Sequence, residues 1–184
     1  MVVPDQPLLP GDEVPGAEFE RKANEIIGQY PAFRRSASLP LLHLWQEEFG
    51  FLSQRAIEWI SERLGLKPIN LISLVTFYPM LRLRPVGKTH FRVCRTLSCA
   101  LAGSHKLFEQ IRERCGATAP AGHGMYVSPD GAYSVEFVEC LASCGSAPAM
   151  MVNQEEHDRA TIETVERFLA ERPVHSAPDG SLKG

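Results

Sequence analysis

The chain has 184 residues, of which 44% are apolar and 22% charged, and its formal net charge is −3. That length accommodates one ordinary domain with an extension or two small domains of a soluble globular class. The charge excludes general attraction to nucleic-acid phosphates, and no apolar run reaches the roughly 20 residues of a membrane helix.

Residues 1–17 contain four prolines and few structural cues, which predicts a mobile arm. This start lacks the basic residues and apolar run of a secretory signal, so a reducing, cytoplasmic compartment is expected. From residue 18 the set Phe19, Ala23, Ile26, Ile27 and Tyr30 has helical spacing, ended by Pro31. A second helix places Leu41, Leu42, Trp45 and Phe49 on one side, with Pro40 in its first turn. In SQRAIEWISERLG, Ser53 is the expected N-cap, Gly65 the terminator, and Ile57, Ile60 and Leu64 the buried stripe. A fourth helix runs from Pro68 to about Val75. Residues 18–84 are therefore expected to form a helical domain.

The pattern changes after PVGK. THFRVCR alternates, with Phe91 and Val93 on one face, as in a strand. ALAGSHKLFEQIRERCG predicts one helix ending at Gly116. The stretches MYVS and AYSVEFVE predict two strands around a turn at Pro129, Asp130 and Gly131. PAMMVN predicts another strand and ATIETVERFLAER a last helix, followed by a tail over 173–184. Strand–helix–strand–strand–strand–helix over 85–172 has thioredoxin-like proportions, so the expected class is α+β: a helical bundle, then a small mixed sheet with helices.

Five cysteines are present: Cys94, Cys99, Cys115, Cys140 and Cys144. An odd number without an export signal argues against a disulfide framework and for metal or redox chemistry. Cys94 and Cys99 bracket four residues at the end of the first strand, and Cys140 and Cys144 bracket three at the end of a later one. Loops at adjacent strand ends lie together, so all four sulfurs are expected at one rim. Zinc and iron–sulfur both accept four thiolates. Neither pair is the tight C-x-x-C knuckle of structural zinc, and the long, unequal spacers lean toward a 2Fe–2S cluster, with zinc remaining open. The missing C-x-x-C also counts against a dithiol–disulfide oxidoreductase. Cys115 is expected to be a buried structural residue. Arg95 and Glu139 are expected to point to water, and His43 and His90 to be packing or surface residues. TFYPMLRLRP, with Phe77, Tyr78, Arg82 and Arg84, is expected to contact a partner, because Tyr, Met and Arg are enriched at interfaces.

Three runs, YPAFRRSASLPLLHLWQEEFGFLS, LVTFYPMLRLRPVGKTHFRVCRTLSCALAG and DGAYSVEFVECLASCGSAPAMMVN, resemble the E-type subunit family of bacterial NADH–quinone oxidoreductase, respiratory complex I. The likeness covers roughly residues 30–170. It implies a thioredoxin-like domain whose 2Fe–2S cluster is held by Cys94, Cys99, Cys140 and Cys144. It also implies a partner F-type subunit carrying FMN and NADH, with which the cluster exchanges single electrons. No substrate site of its own, no direct membrane insertion and a peripheral place on the cytoplasmic membrane face are further implications. Equivalent subunits serve NAD-reducing hydrogenases and NAD-dependent formate dehydrogenases, an alternative that the motif does not separate, and a zinc-stapled interaction module is another. By analogy with the fold, Pro148 is expected to follow a cis bond. At Ala142, where relatives often carry Gly, an Ala fits if φ is negative.

Overall fold

The computed structural model describes residues 8–122 and 124–171. The expected tail, 173–184, and the first seven residues of the expected arm lie outside the described residues. The chain divides between Pro85 and Val86 into two compact units.

The first unit is helical: α1 (Ala17–Gly28), α2 (Ser38–Phe49), α3 (Gln54–Leu64) and α4 (Pro68–Phe77), with a 3-10 turn over Arg34–Ala37. Its centre is an aromatic cluster in which Trp45 lies 5.5 Å from Phe19, 4.8 Å from Phe49 and 5.4 Å from Trp59, measured between ring centroids. Such pairs add to the burial of their area through edge-to-face electrostatics. Ser53 caps α3 by accepting the Ala56 N–H at 3.2 Å, and Gly65 ends that helix with φ of 67°. Part of the expected mobile arm is fastened here. Leu8 packs against the helical core, the Leu9 carbonyl accepts the Gln54 N–H at 2.8 Å, and Glu13 accepts from the Ser53 hydroxyl at 2.8 Å. Helix α4 runs two residues past its expected end, to Phe77, with the Thr76 hydroxyl donating back to the Ile72 carbonyl at 3.0 Å. Beyond it, Gln46 grips the chain at two points: its amide donates to the Met80 carbonyl at 2.8 Å and accepts from the Arg82 N–H at 2.7 Å.

The second unit carries a six-stranded mixed sheet in the order β2-β3-β4-β1-β5-β6. Its strands are β1 (Thr89–Cys94), β2 (Ala119–Pro120), β3 (Tyr126–Val127), β4 (Tyr133–Val138), β5 (Met150–Val152) and β6 (Glu155–His157). Its helices are α5 (Leu97–Leu101), α6 (Ser104–Arg114) and α7 (Ile162–Glu171). Strands β1 and β4 are parallel, with Cys94 opposite Val138, and the other pairings are antiparallel. Phe91, Val93, Val135 and Val152 pack with Leu107, Phe108, Ile111 and Val165, so α6 and α7 share one core with the sheet. The helices thus precede the sheet in sequence, and the α+β class is as expected. The single helix expected over 100–116 is instead two, broken at Gly103, whose φ of 96° no helix interior adopts. Among the described residues no helix is long and apolar enough to cross a membrane.

Candidate metal centre

Parallel pairing of β1 with β4 sends both strands out of the sheet at the same end, and each is followed directly by a cysteine-bearing loop. Cys94 is the last residue of β1, and Cys99 lies inside the five-residue α5. Cys140 follows β4, and Cys144 opens a 3-10 turn over Cys144–Ser146. The first pair is buried, at 2% exposure each, whereas Cys140 and Cys144 are exposed. Cys94 and Cys99 are near enough to influence each other's ionisation, and the Cys144 thiol is close enough to act electrostatically on Cys99. Cys140 accepts the Ala142 N–H at 3.3 Å. Among the described residues, no three His, Cys, Asp or Glu side chains form a preassembled metal-ligating set.

Most polar groups around these sulfurs suit thiolates, the exception being the Glu139 carbonyl, which accepts from the Cys94 thiol at 3.3 Å. Burial opposes ionisation of Cys94. The Thr96 hydroxyl at 3.3 Å, the N–H groups of Thr96 and Leu141 and the Cys99 thiol outweigh it and hold the Cys94 pKa below its ordinary value. Burial raises Cys99, and the neighbouring Cys94 and Cys144 add to the rise, while the Ala149 N–H pulls it down. Backbone donors from both cysteine-bearing connections therefore converge on the sulfurs, the pattern that stabilises an anionic thiolate-held centre. The donor set fits a four-thiolate cluster.

The loop between the last two cysteines departs from expectation. Ala142 has φ of +60°, in the left-handed region, where a Cβ crowds the following carbonyl at a cost of roughly 1–2 kcal/mol. The negative φ that would suit an Ala is not adopted. The loop is instead held from outside, by the connection between β6 and α7. Asp158 accepts from the Ser143 hydroxyl, the Arg159 N–H donates to the Ser146 carbonyl at 2.8 Å, and the Ala160 N–H donates to the Pro148 carbonyl at 2.8 Å. Hydrogen bonds from Ser143 and then Ser146 keep the Asp158 carboxyl below the usual carboxylate range. No periodicity or motif flagged Asp158. The Ala147–Pro148 bond is cis, as the fold analogy implied.

Other residues singled out in the sequence fall elsewhere. Arg95 and Glu139 form an exposed ion pair with each other at the rim. His90 is buried, bonded to Ser134 at 2.6 Å and to Glu136 at 2.8 Å, and is a packing residue. His43 is exposed on α2. Cys115 is buried in the sheet core. The expected partner-contact residues belong to the helical unit. Phe77 is 75% exposed and meets Tyr78 edge-on at 5.0 Å, Tyr78 packs partly on the helical core, and Arg84 donates to the Leu83 carbonyl at 2.9 Å. Arg82 is anchored through its backbone, its N–H bonding Gln46 and its carbonyl accepting from Leu52 at 2.7 Å.

Similarity to known proteins agrees with this chemistry. The chain is 40% identical over 148 residues to NADH-quinone oxidoreductase subunit 2 of Thermus thermophilus, covering 79% of each. It is 38% identical over 168 residues to the E-type subunit of NADH-quinone oxidoreductase from Mycobacterium tuberculosis, covering 91% of this chain and spanning 64% of that relative's length. In fold it resembles an NAD+-reducing nickel–iron hydrogenase structure, with a TM-score of 0.59 at 17% identity over 71% of this chain and 22% of that one. The model of the thioredoxin-like 2Fe-2S ferredoxin family matches residues 23–172, which with these relatives shows that the chain belongs to that family.

Proposed function

We propose that Cys94, Cys99, Cys140 and Cys144 ligate one 2Fe–2S cluster and that the chain is an electron-transfer subunit of an NADH–quinone oxidoreductase. In this reading it exchanges single electrons with the FMN of an F-type partner that oxidises NADH. The chain has no catalytic residue of its own, and its partners hold it at the cytoplasmic face of the membrane. When bound, the cluster supplies a one-electron carrier. The observation that supports the reading most is the parallel pairing of β1 and β4, from whose shared end both cysteine loops emerge among backbone N–H donors. Those donors disperse negative charge on the thiolates, and the sheet behind them excludes water from the Cys94 and Cys99 side. Cys140 and Cys144 face outward, which leaves a short path for an electron from a docked flavin. The sequence likeness to complex I subunits at 38% and 40% identity supports that assembly over a hydrogenase, for which the likeness is one of fold alone.

Anaerobic purification tests the reading. Brown protein with iron and sulfide in the cluster's ratio, and a rhombic electron paramagnetic resonance signal after reduction, is expected. Replacement of all four cysteines by serine is expected to abolish both. Colourless, zinc-containing protein, or iron retained by the serine variant, would sink the proposal.

A further inference from the structure

The two ligand loops are supported differently. Cys94 ends a central strand and Cys99 is buried with it, so packing holds both. The loop from Cys140 to Pro148 has little burial of its own, since Ala142, Cys144 and Gly145 are all exposed. What orders it is three consecutive residues of the β6–α7 connection. Arg159 and Ala160 bind the Ser146 and Pro148 carbonyls through their N–H groups, and Arg159 takes a left-handed φ of 46°. Asp158 binds the loop through its side chain. Its carboxylate reaches Ser143 on one side of Cys144, and Ser146 on the other side lies 3.2 Å from the Ser143 hydroxyl.

We propose, building on the cluster reading above, that Asp158 is a positioning residue for the centre. It accepts from the Ser143 hydroxyl, which the Ser146 hydroxyl meets in turn, so that Cys144 between them is presented at a fixed angle and distance from the other three thiolates. Asp158 is no ligand, and its effect runs through hydrogen bonds to the residues flanking one. Removing such a support typically weakens metal retention about tenfold to a hundredfold. The effect depends on an acceptor oxygen at this position rather than on negative charge alone, and this separates positioning from simple electrostatics.

The test uses the full chain purified anaerobically with its cluster. Iron loss to a chelator is timed and the reduced cluster's paramagnetic resonance spectrum recorded for wild type, Asp158→Ala, Asp158→Asn and Ser143→Ala. Asp158→Ala and Ser143→Ala are expected to release iron about tenfold or more faster and to shift the spectral anisotropy. Asp158→Asn retains an oxygen able to accept the Ser143 proton, so its release rate is expected to stay near wild type. The Asp158→Ala/Ser143→Ala double variant is expected to be no faster than Asp158→Ala alone, because that substitution already removes the Ser143 bond. Wild-type release from Asp158→Ala, or release from Asp158→Asn as fast as from Asp158→Ala, would overturn the inference. If Asp158→Ala does not fold, Ser143→Ala, which removes one oxygen only, decides by the same measurements. Wild-type protein that never holds iron would instead overturn the cluster reading itself.

Discussion

Cys115 is the one cysteine outside the proposed ligand set, and its protonation is open to a quantitative test. It closes α6, lies 7% exposed in the sheet core, and burial pushes its pKa up to about 12 from an ordinary 9.0. Alkylation proceeds through the thiolate, so at pH 8 the folded chain offers about a thousandfold less reactive Cys115 than the unfolded chain does. Iodoacetamide labelling of the holoprotein, quantified on the peptide carrying Cys115 and compared with the urea-unfolded chain, is expected to show at least that suppression. The same shift has a consequence for stability. The folded pKa is the raised one, so the contribution is fully present below about 9 and is lost as pH rises toward about 12. At pH 10 the unfolded thiol is mostly ionised and the folded one is not, a loss of roughly 1 kcal/mol. Cys115→Ala lacks this increment, so the stability gap between wild type and variant is expected to narrow by that amount between pH 8 and pH 10 in urea denaturation followed by circular dichroism. Folded-state labelling within tenfold of the unfolded rate, or a gap independent of pH, would refute the reasoning.

Two backbone positions make sharper structural tests. A Cβ on Gly87 would stand 2.3 Å from the Tyr133 carbonyl carbon and 2.6 Å from the Ser134 nitrogen, both backbone atoms that no rotamer change can move. Gly87→Ala is therefore expected to cost about 1–3 kcal/mol, read as a lower Tm of the full chain, and an unchanged Tm would contradict this close approach. At Ala142 the left-handed φ predicts opposite outcomes for two substitutions. Ala142→Gly relieves strain of roughly 1–2 kcal/mol but adds about 0.4–1 kcal/mol of unfolded-chain freedom, so stability is expected to hold or rise slightly. Ala142→Val puts a β-branched side chain where φ is positive and is expected to lower Tm and speed cluster loss. A valine variant as stable as wild type would show that the loop does not need this conformation.

Much of the fold was legible because burial is periodic. Ile57, Ile60 and Leu64 are all buried on α3, and Phe91 and Val93 line one face of β1. The caps at Ser53 and Gly65 follow from residue type alone. What the pattern hid has local causes. The stripe of Leu107, Phe108 and Ile111 stays buried while the chain breaks at Gly103 just before it, so apolar spacing masks the interruption between α5 and α6. Strand β6 consists of Glu155, Glu156 and His157 at the edge of the sheet, where one side faces water and no alternation is required. Strand β2 is two residues long and contains Pro120, which an edge tolerates and a central strand does not. The two cysteine pairs were visible as spacing. The side chain that steadies the second pair was not, because a hydrogen bond from one loop to another leaves no period in the sequence.

The site therefore divides its demands between two kinds of structure. The proposed one-electron centre would work best when its surroundings reorganise little, a demand the buried pair suits through the strand end and the Thr96, Leu141 and Ala149 donors. In the proposed role the exposed pair must stay accessible to a redox partner, and burial does not fix it. Hydrogen bonds from the β6–α7 connection and a left-handed turn at Ala142 take that role. Bonds at an exposed loop contribute only about 0.5–1.5 kcal/mol each, so several acting together are needed to hold one short loop. That fits three successive residues, Asp158, Arg159 and Ala160, each binding a different point of the loop, at Ser143, Ser146 and Pro148. On the proposed function, the last strand and helix, which carry none of the four cysteines, still belong to the functional architecture, because their connection holds the loop bearing Cys144.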